Sequence, residues 1–131
     1  MSEPKLPRPT DAELAILQVM WERGPCTVRE VHEALNKGEA GTGYTTVLKL
    51  MQIMTEKGLV ERDESQRAHV YRTRASQQKT QRQLVTDLLN RAFGGSPARL
   101  AMQALSTKKA SAEELAELRQ LLDTLEEEEK P

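Results

Sequence analysis

At Gly58 the hydrophobic period of this chain changes, and that change limits the architectures open to it. Up to Lys57 the apolar residues recur at three- and four-residue spacing; beyond Gly58 they partly alternate. The helical part carries its own start signals. Thr10-Asp11-Ala12-Glu13 and Thr27-Val28-Arg29-Glu30 are both capping boxes, in which hydroxyl and carboxylate each satisfy an orphan backbone N–H. The first leads into Leu14, Leu17 and Trp21 at helical spacing, with Ile16 and Met20 beside them, and Gly24-Pro25 stops it. The second opens a shorter helix with Val28, Val31 and Leu35 inward. The segment 36–43 holds three glycines and reads as a loop. A third helix is predicted from about Thr45 to Lys57, with Val47, Leu50, Met51 and Met54 on one face and Gly58 at its C-terminus.

Past Gly58, Leu59-Val60-Glu61-Arg62-Asp63 and Ala68-His69-Val70-Tyr71-Arg72-Thr73 flank Glu64-Ser65-Gln66-Arg67. These segments read as a β-hairpin whose polar tip holds Gln66 and Arg67. Three short helices followed by a two-stranded hairpin is the order of a winged helix-turn-helix. In that fold the first helix braces the core, the second crosses the nucleic-acid backbone and the third enters the groove.

From Ser76 the helical period returns in Leu84, Val85, Leu88, Leu89, Ala92 and Phe93. Gly94-Gly95 breaks it, and Ser96-Pro97 restarts a helix carrying Leu100, Ala101, Ala104 and Leu105. A third capping box, Ser111-Ala112-Glu113-Glu114, precedes Leu115, Leu118, Leu121, Leu122 and Leu125. A tail of about 50 residues is small for an independent core. Its stripes need another surface, and a second copy of the chain is the simplest one. The expected organisation is a mainly α chain: a proline-punctuated arm over 1–9, a winged-helix domain over 10–75 and a helical dimerisation domain over 76–131. Leu84, Leu88, Phe93, Leu100, Leu105, Leu115, Leu118 and Leu122 are the expected dimer contacts.

Composition excludes several functions. One cysteine, Cys26, rules out an internal disulfide framework and a four-cysteine metal cage. The uncharged runs are too short for a bilayer-spanning helix, and no apolar stretch follows the N-terminal residues, so a soluble cytoplasmic protein without membrane insertion is expected. The two histidines, His32 and His69, belong to no metal-ligand or catalytic pattern, and no glycine-rich phosphate loop follows a strand. His32 reads as a surface helix residue, and His69 as a wing residue able to touch a phosphate. Cys26 reads as a small packed residue. No catalytic residue, cofactor or metal is expected.

Charge looks unfavourable for nucleic acid at first. There are 19 basic and 20 acidic side chains, with 11 of each in residues 1–75. Any positive potential must therefore be local. If Val47, Leu50, Met51 and Met54 face inward, then Thr45, Thr46, Leu48, Lys49 and Gln52 lie on or near the opposite face. Gln pairs bidentately with adenine, Lys reaches guanine O6 and N7, and Thr or Leu methyl groups meet the thymine methyl. Tyr44 and Thr45, at the helix start, are placed to donate hydroxyls to phosphate. Arg62, Arg67, His69, Arg72 and Arg74 crowd into 13 residues of the hairpin, and residues 66–83 contain no acid. Double-stranded DNA is the expected partner. The rival from another class is a protein-interaction adaptor that uses the same helices without specific DNA binding.

The succession Thr10–Trp21, Thr27–Leu35, Gly43-Tyr44-Thr45-Thr46-Val47, Glu56-Lys57-Gly58-Leu59-Val60 and Phe93-Gly94-Gly95-Ser96 resembles the BlaI/MecI family of penicillinase repressors. The likeness runs from about Thr10 to Leu125. It implies a bacterial homodimeric transcriptional repressor binding a palindromic operator, with its C-terminal helices intertwined with a partner's. By resemblance Thr45, Thr46, Lys49 and Gln52 fall on the recognition helix and Arg67 on the wing. Leu48 and Ile53 stand where relatives are often basic. In β-lactam-responsive members a membrane zinc-peptidase sensor system leads to cleavage at an Asn–Phe pair. The matching positions here are Gln103 and Ala104, so that bond is not preserved. Copper-responsive relatives use cysteine pairs near the C-terminus, and this chain has none.

Overall fold

The computed structural model describes residues 7–37 and 41–130. Most of the predicted arm (residues 1–6) and the middle of the glycine loop (residues 38–40) lie outside the described residues. Three helices come first: α1 (Asp11–Arg23), α2 (Val28–Leu35) and α3 (Tyr44–Lys57). Both predicted capping boxes form. Thr10 N–H donates to Glu13 Oε1 at 2.8 Å while Thr10 Oγ1 accepts from Glu13 N–H at 3.2 Å, and Thr27 and Glu30 repeat the exchange at 2.9 and 3.2 Å. The third helix starts at Tyr44, with Gly43 as a cap that supplies no side chain. It ends at Gly58, whose φ of +84° is left-handed and strained for any residue with a Cβ.

Strands β1 (Val60–Asp63) and β2 (Val70–Thr73) form the antiparallel hairpin, with Val60 opposite Thr73 and Asp63 opposite Val70. Cys26 makes an isolated bridge to Tyr71, so the residue before the α2 cap joins the sheet. One core serves all five elements. Ile16, Leu17 and Met20 of α1 meet Val28 and Val31 of α2, Val47, Met51 and Met54 of α3, and Leu59, Val60 and Tyr71 of the hairpin. Leu14, Trp21, Leu35 and Leu50 are half-buried against this core rather than fully inside it. Trp21 Nε1–H donates to the Ala75 carbonyl at 3.2 Å and ties α1 to the chain leaving the hairpin.

The tail contains α4 (Gln77–Ala92), α5 (Pro97–Thr107) and α6 (Ala112–Glu129). Gly94 and Gly95, with φ of +56° and +79°, separate α4 from α5. Ser96 caps α5, with Pro97 at its first position, and the Ser111–Glu114 box caps α6. The chain divides into two compact units, Met1–Thr86 and Asp87–Pro131, and the division falls within α4. Thr80 of α4 is buried in the first unit. None of the described residues of α5 or α6 is buried.

One charge sits inside the first unit. Glu13 is 2% exposed, and Lys57 Nζ approaches its Oε1 at 2.6 Å, joining the start of α1 to the end of α3. Burial pushes the Glu13 carboxyl up, but Lys57 and the Thr10 groups outweigh it and hold the carboxyl below its ordinary range. A depressed carboxyl contributes stability above its unfolded pKa and loses that contribution as pH falls through the folded value. Glu13→Leu should therefore destabilise the protein by about 2 kcal/mol at neutral pH. Urea unfolding in acid should show the gap to the wild type shrinking.

Candidate nucleic-acid interface

The core of α3 settles which of its side chains face outward. With Val47, Met51 and Met54 buried, Thr45, Lys49, Gln52 and Glu56 fall at spacings of four, three and four and are all exposed. Tyr44 and Thr46 are exposed beside them at the helix start. Thr45, Lys49 and Gln52 form one stripe of two donors and an amide, the chemistry that base edges require. Glu56 closes that stripe with a carboxylate.

Leu48 is not on that face. It is half-buried, packs against the core and lines a groove towards α2 and β2. Position 48 lies four residues after Tyr44 and three before the buried Met51, so it belongs to the flank of α3 that turns towards α2. The same flank carries an aromatic contact, with the His32 and Tyr44 rings meeting edge-on at 5.6 Å and 77°. His32 is consequently half-buried rather than a plain surface residue.

The hairpin is less basic than its composition implies. Arg62 pairs with Glu64, Arg72 reaches Asp63 at 3.7 Å, and Arg74 reaches Glu61 at 3.5 Å. Both distances belong to cross-strand diagonals created by the register, which no linear count of charges reveals. Such exposed pairs add little stability. They do cancel three of the four hairpin arginines as sources of potential. Arg67, exposed at the tip, has no ion pair among the described residues, and His69 is exposed two residues further on.

A groove of about 790 Å³ lies between α2, the start of α3 and the hairpin loop leading into β2. Its lining brings together Arg29, His32, Tyr44, Arg67 and His69. Arg29 was not singled out by sequence. The usable signal was its place in the first turn of α2 beside the polar Thr27 cap. Cys26 is buried, and burial and then the negative charge of Glu30 push its thiol up, consistent with a packed residue. Among the described residues no cluster of three or more His, Cys, Asp or Glu is placed to hold a metal, and no helix is long and apolar enough to cross a membrane.

The expected dimer residues retain much apolar surface within this chain. Leu88, Leu105, Leu115 and Leu122 are exposed, Leu122 to 57%, while Leu84, Phe93, Leu100 and Leu118 are half-buried. Leu121 and Leu125 of α6 are exposed as well.

Known proteins with these features fall in one group. The family model described as penicillinase repressor matches residues 9–124. The "Transcriptional regulator BlaI" of Mycobacterium tuberculosis is 35% identical over 123 residues, covering 93% of this chain and 88% of that protein. The "Penicillinase repressor" of Bacillus licheniformis is 26% identical over 119 residues, covering 91% and 92%. The solution structure of the DNA-binding domain of the repressor BlaI superposes with a TM-score of 0.50 at 23% identity, over 59% of this chain and 93% of that one. That likeness gives the fold of the first unit as a winged helix-turn-helix. The family is one of repressors and not of enzymes, and this chain belongs to it: it is a member of the penicillinase repressor family.

Proposed function

We propose that the chain is a homodimeric transcriptional repressor that binds a palindromic DNA operator through its winged helix and acts by occupying a promoter. The observation that carries this reading is the exposed stripe Thr45, Lys49 and Gln52 on α3, with Arg67 at the wing tip in no ion pair among the described residues. Thr45, Lys49 and Gln52 read base edges, with Thr46 beside them. Tyr44 and Arg67 meet phosphates. Residues 10–75 form the DNA-binding domain and 76–131 the dimerisation domain. A second copy covers the apolar faces of α5 and α6, none of whose described leucines is fully buried within one chain. Two-fold symmetry then sets half-sites about one helical turn (roughly 10 bp) apart, or a multiple of it. A single half-site offers too little affinity for occupancy, so loss of the dimer releases the operator.

The signal for release reaches only as far as one bond. By resemblance to the β-lactam-responsive members, a membrane sensor peptidase system is a candidate upstream partner. Gln103 and Ala104, which replace the Asn–Phe pair, are exposed inside α5, so a proteolytic route here needs another sequence preference or another bond.

Lys49→Ala and Gln52→Ala should each weaken operator binding about tenfold or more while changing random-duplex binding much less. Equal losses on both DNAs in a titration would remove base reading from these residues. An absence of salt-sensitive DNA binding by the purified dimer would favour the adaptor instead. Arg67→Ala should weaken both DNAs alike and lower the slope of log K against log salt by close to one; an unchanged slope takes the wing out of the interface. Leu88→Asp and Leu118→Asp should convert the dimer to monomer by light scattering, and an unaltered dimer mass would refute the assignment of the tail.

A further inference from the structure

The chain has two histidines, separated by 37 positions in sequence, and the fold brings both to the same groove. His32 arrives on α2 and His69 on the loop leading into β2. The fixed charges along that groove are Arg29 and Arg67 against Glu33, whose carboxylate lies 3.9 Å from Arg29 Nε. Tyr44 of α3 and Tyr71 of β2 complete its titratable lining. With neutral imidazoles the groove therefore carries one net positive charge, and with both protonated it carries three.

The position of the groove selects its occupant. It is continuous with Tyr44 at the start of α3 on one side and with Arg67 of the wing on the other. A duplex contacted by both elements must carry its backbone across the space between them. A phosphodiester supplies the negative charge and acceptor oxygens that match arginine and imidazolium donors. Imidazole is the side chain that gains its charge between about pH 5 and 8, and a protonated ring donates from both nitrogens.

We propose that this groove seats the DNA phosphate backbone between the recognition helix and the wing, and that protonation of His32 and His69 sets how tightly it holds. The inference rests on the DNA-binding reading and adds to it three contacts, Arg29, His32 and His69, and a dependence on pH. Acidification adds positive charge where the backbone lies, so affinity rises as pH falls. The gain is independent of base sequence, because phosphates carry no sequence information.

The test is a fluorescence titration of the full chain with a random-sequence duplex, across about 50 to 200 mM salt, at about pH 6 and about pH 8. Wild-type protein should bind more tightly at the lower pH, with a salt slope steeper by between one and about two. Arg29→Ala should lower the slope by about one at both pH values. His69→Gln, at an exposed position, should remove about half of the pH effect. His32→Gln with His69→Gln should remove nearly all of it, with folding confirmed by an unaltered circular dichroism spectrum. A wild-type slope that does not change with pH overturns the inference. So does a pH effect that His69→Gln leaves undiminished, or a slope that Arg29→Ala leaves as it was. Salt-insensitive or absent binding by the wild type at every pH would instead overturn DNA binding itself.

Discussion

Two backbone hydrogen bonds between Cys26 and Tyr71 decide where the hairpin lies relative to the helices. Cys26 N–H donates to the Tyr71 carbonyl at 3.0 Å, and Tyr71 N–H donates back at 2.8 Å. Cys26 immediately precedes the Thr27 cap of α2, so the wing is pinned to the helix-turn-helix at the residue where its second helix begins. Both side chains are buried, which keeps water from competing for those bonds. With the bridge in place, the strand that follows the wing tip runs past α2, and Arg67 and His69 come to face Arg29 and His32. The groove and the interface are consequences of that one pairing. Trp21, through Ala75, and Lys57, through Glu13, brace the same unit from its other side.

The electrostatics follow from register as much as from composition. Residues 1–75, with 11 basic and 11 acidic side chains, can bind a polyanion only where positive charge is kept apart from negative charge. In the hairpin the antiparallel register does the reverse for Arg62, Arg72 and Arg74, which all lie against carboxylates. On α3 and the hairpin, Lys49 and the tip residue Arg67 have no ion pair among the described residues, and Arg29 of α2 is partly offset by Glu33.

Much of this was legible in the residues. Each capping box marks a helix start because hydroxyl and carboxylate three residues apart satisfy backbone donors locally, with no help from the rest of the fold. Gly58 marks a helix end for the equally local reason that a left-handed turn tolerates it. The stripe of Thr45, Lys49 and Gln52 follows from the spacing of Val47, Met51 and Met54, since a helix with one buried face exposes the other. Leu48 escaped the same logic. It sits on the flank between the two faces, and whether a flank is exposed depends on what packs beside it.

The sequence by itself determined the elements, their order and their family, because caps, breakers and hydrophobic period act over three or four residues. Tertiary structure alone decided three other things: that Leu48 turns inward, that three wing arginines are cancelled, and that both histidines share one groove. Each depends on contacts between segments far apart in the chain, such as Cys26 with Tyr71 or His32 with Tyr44. A local pattern carries no information about which remote surface will meet it. The leucines of α5 and α6 lie one step further out, because within a single chain their apolar faces remain open to solvent.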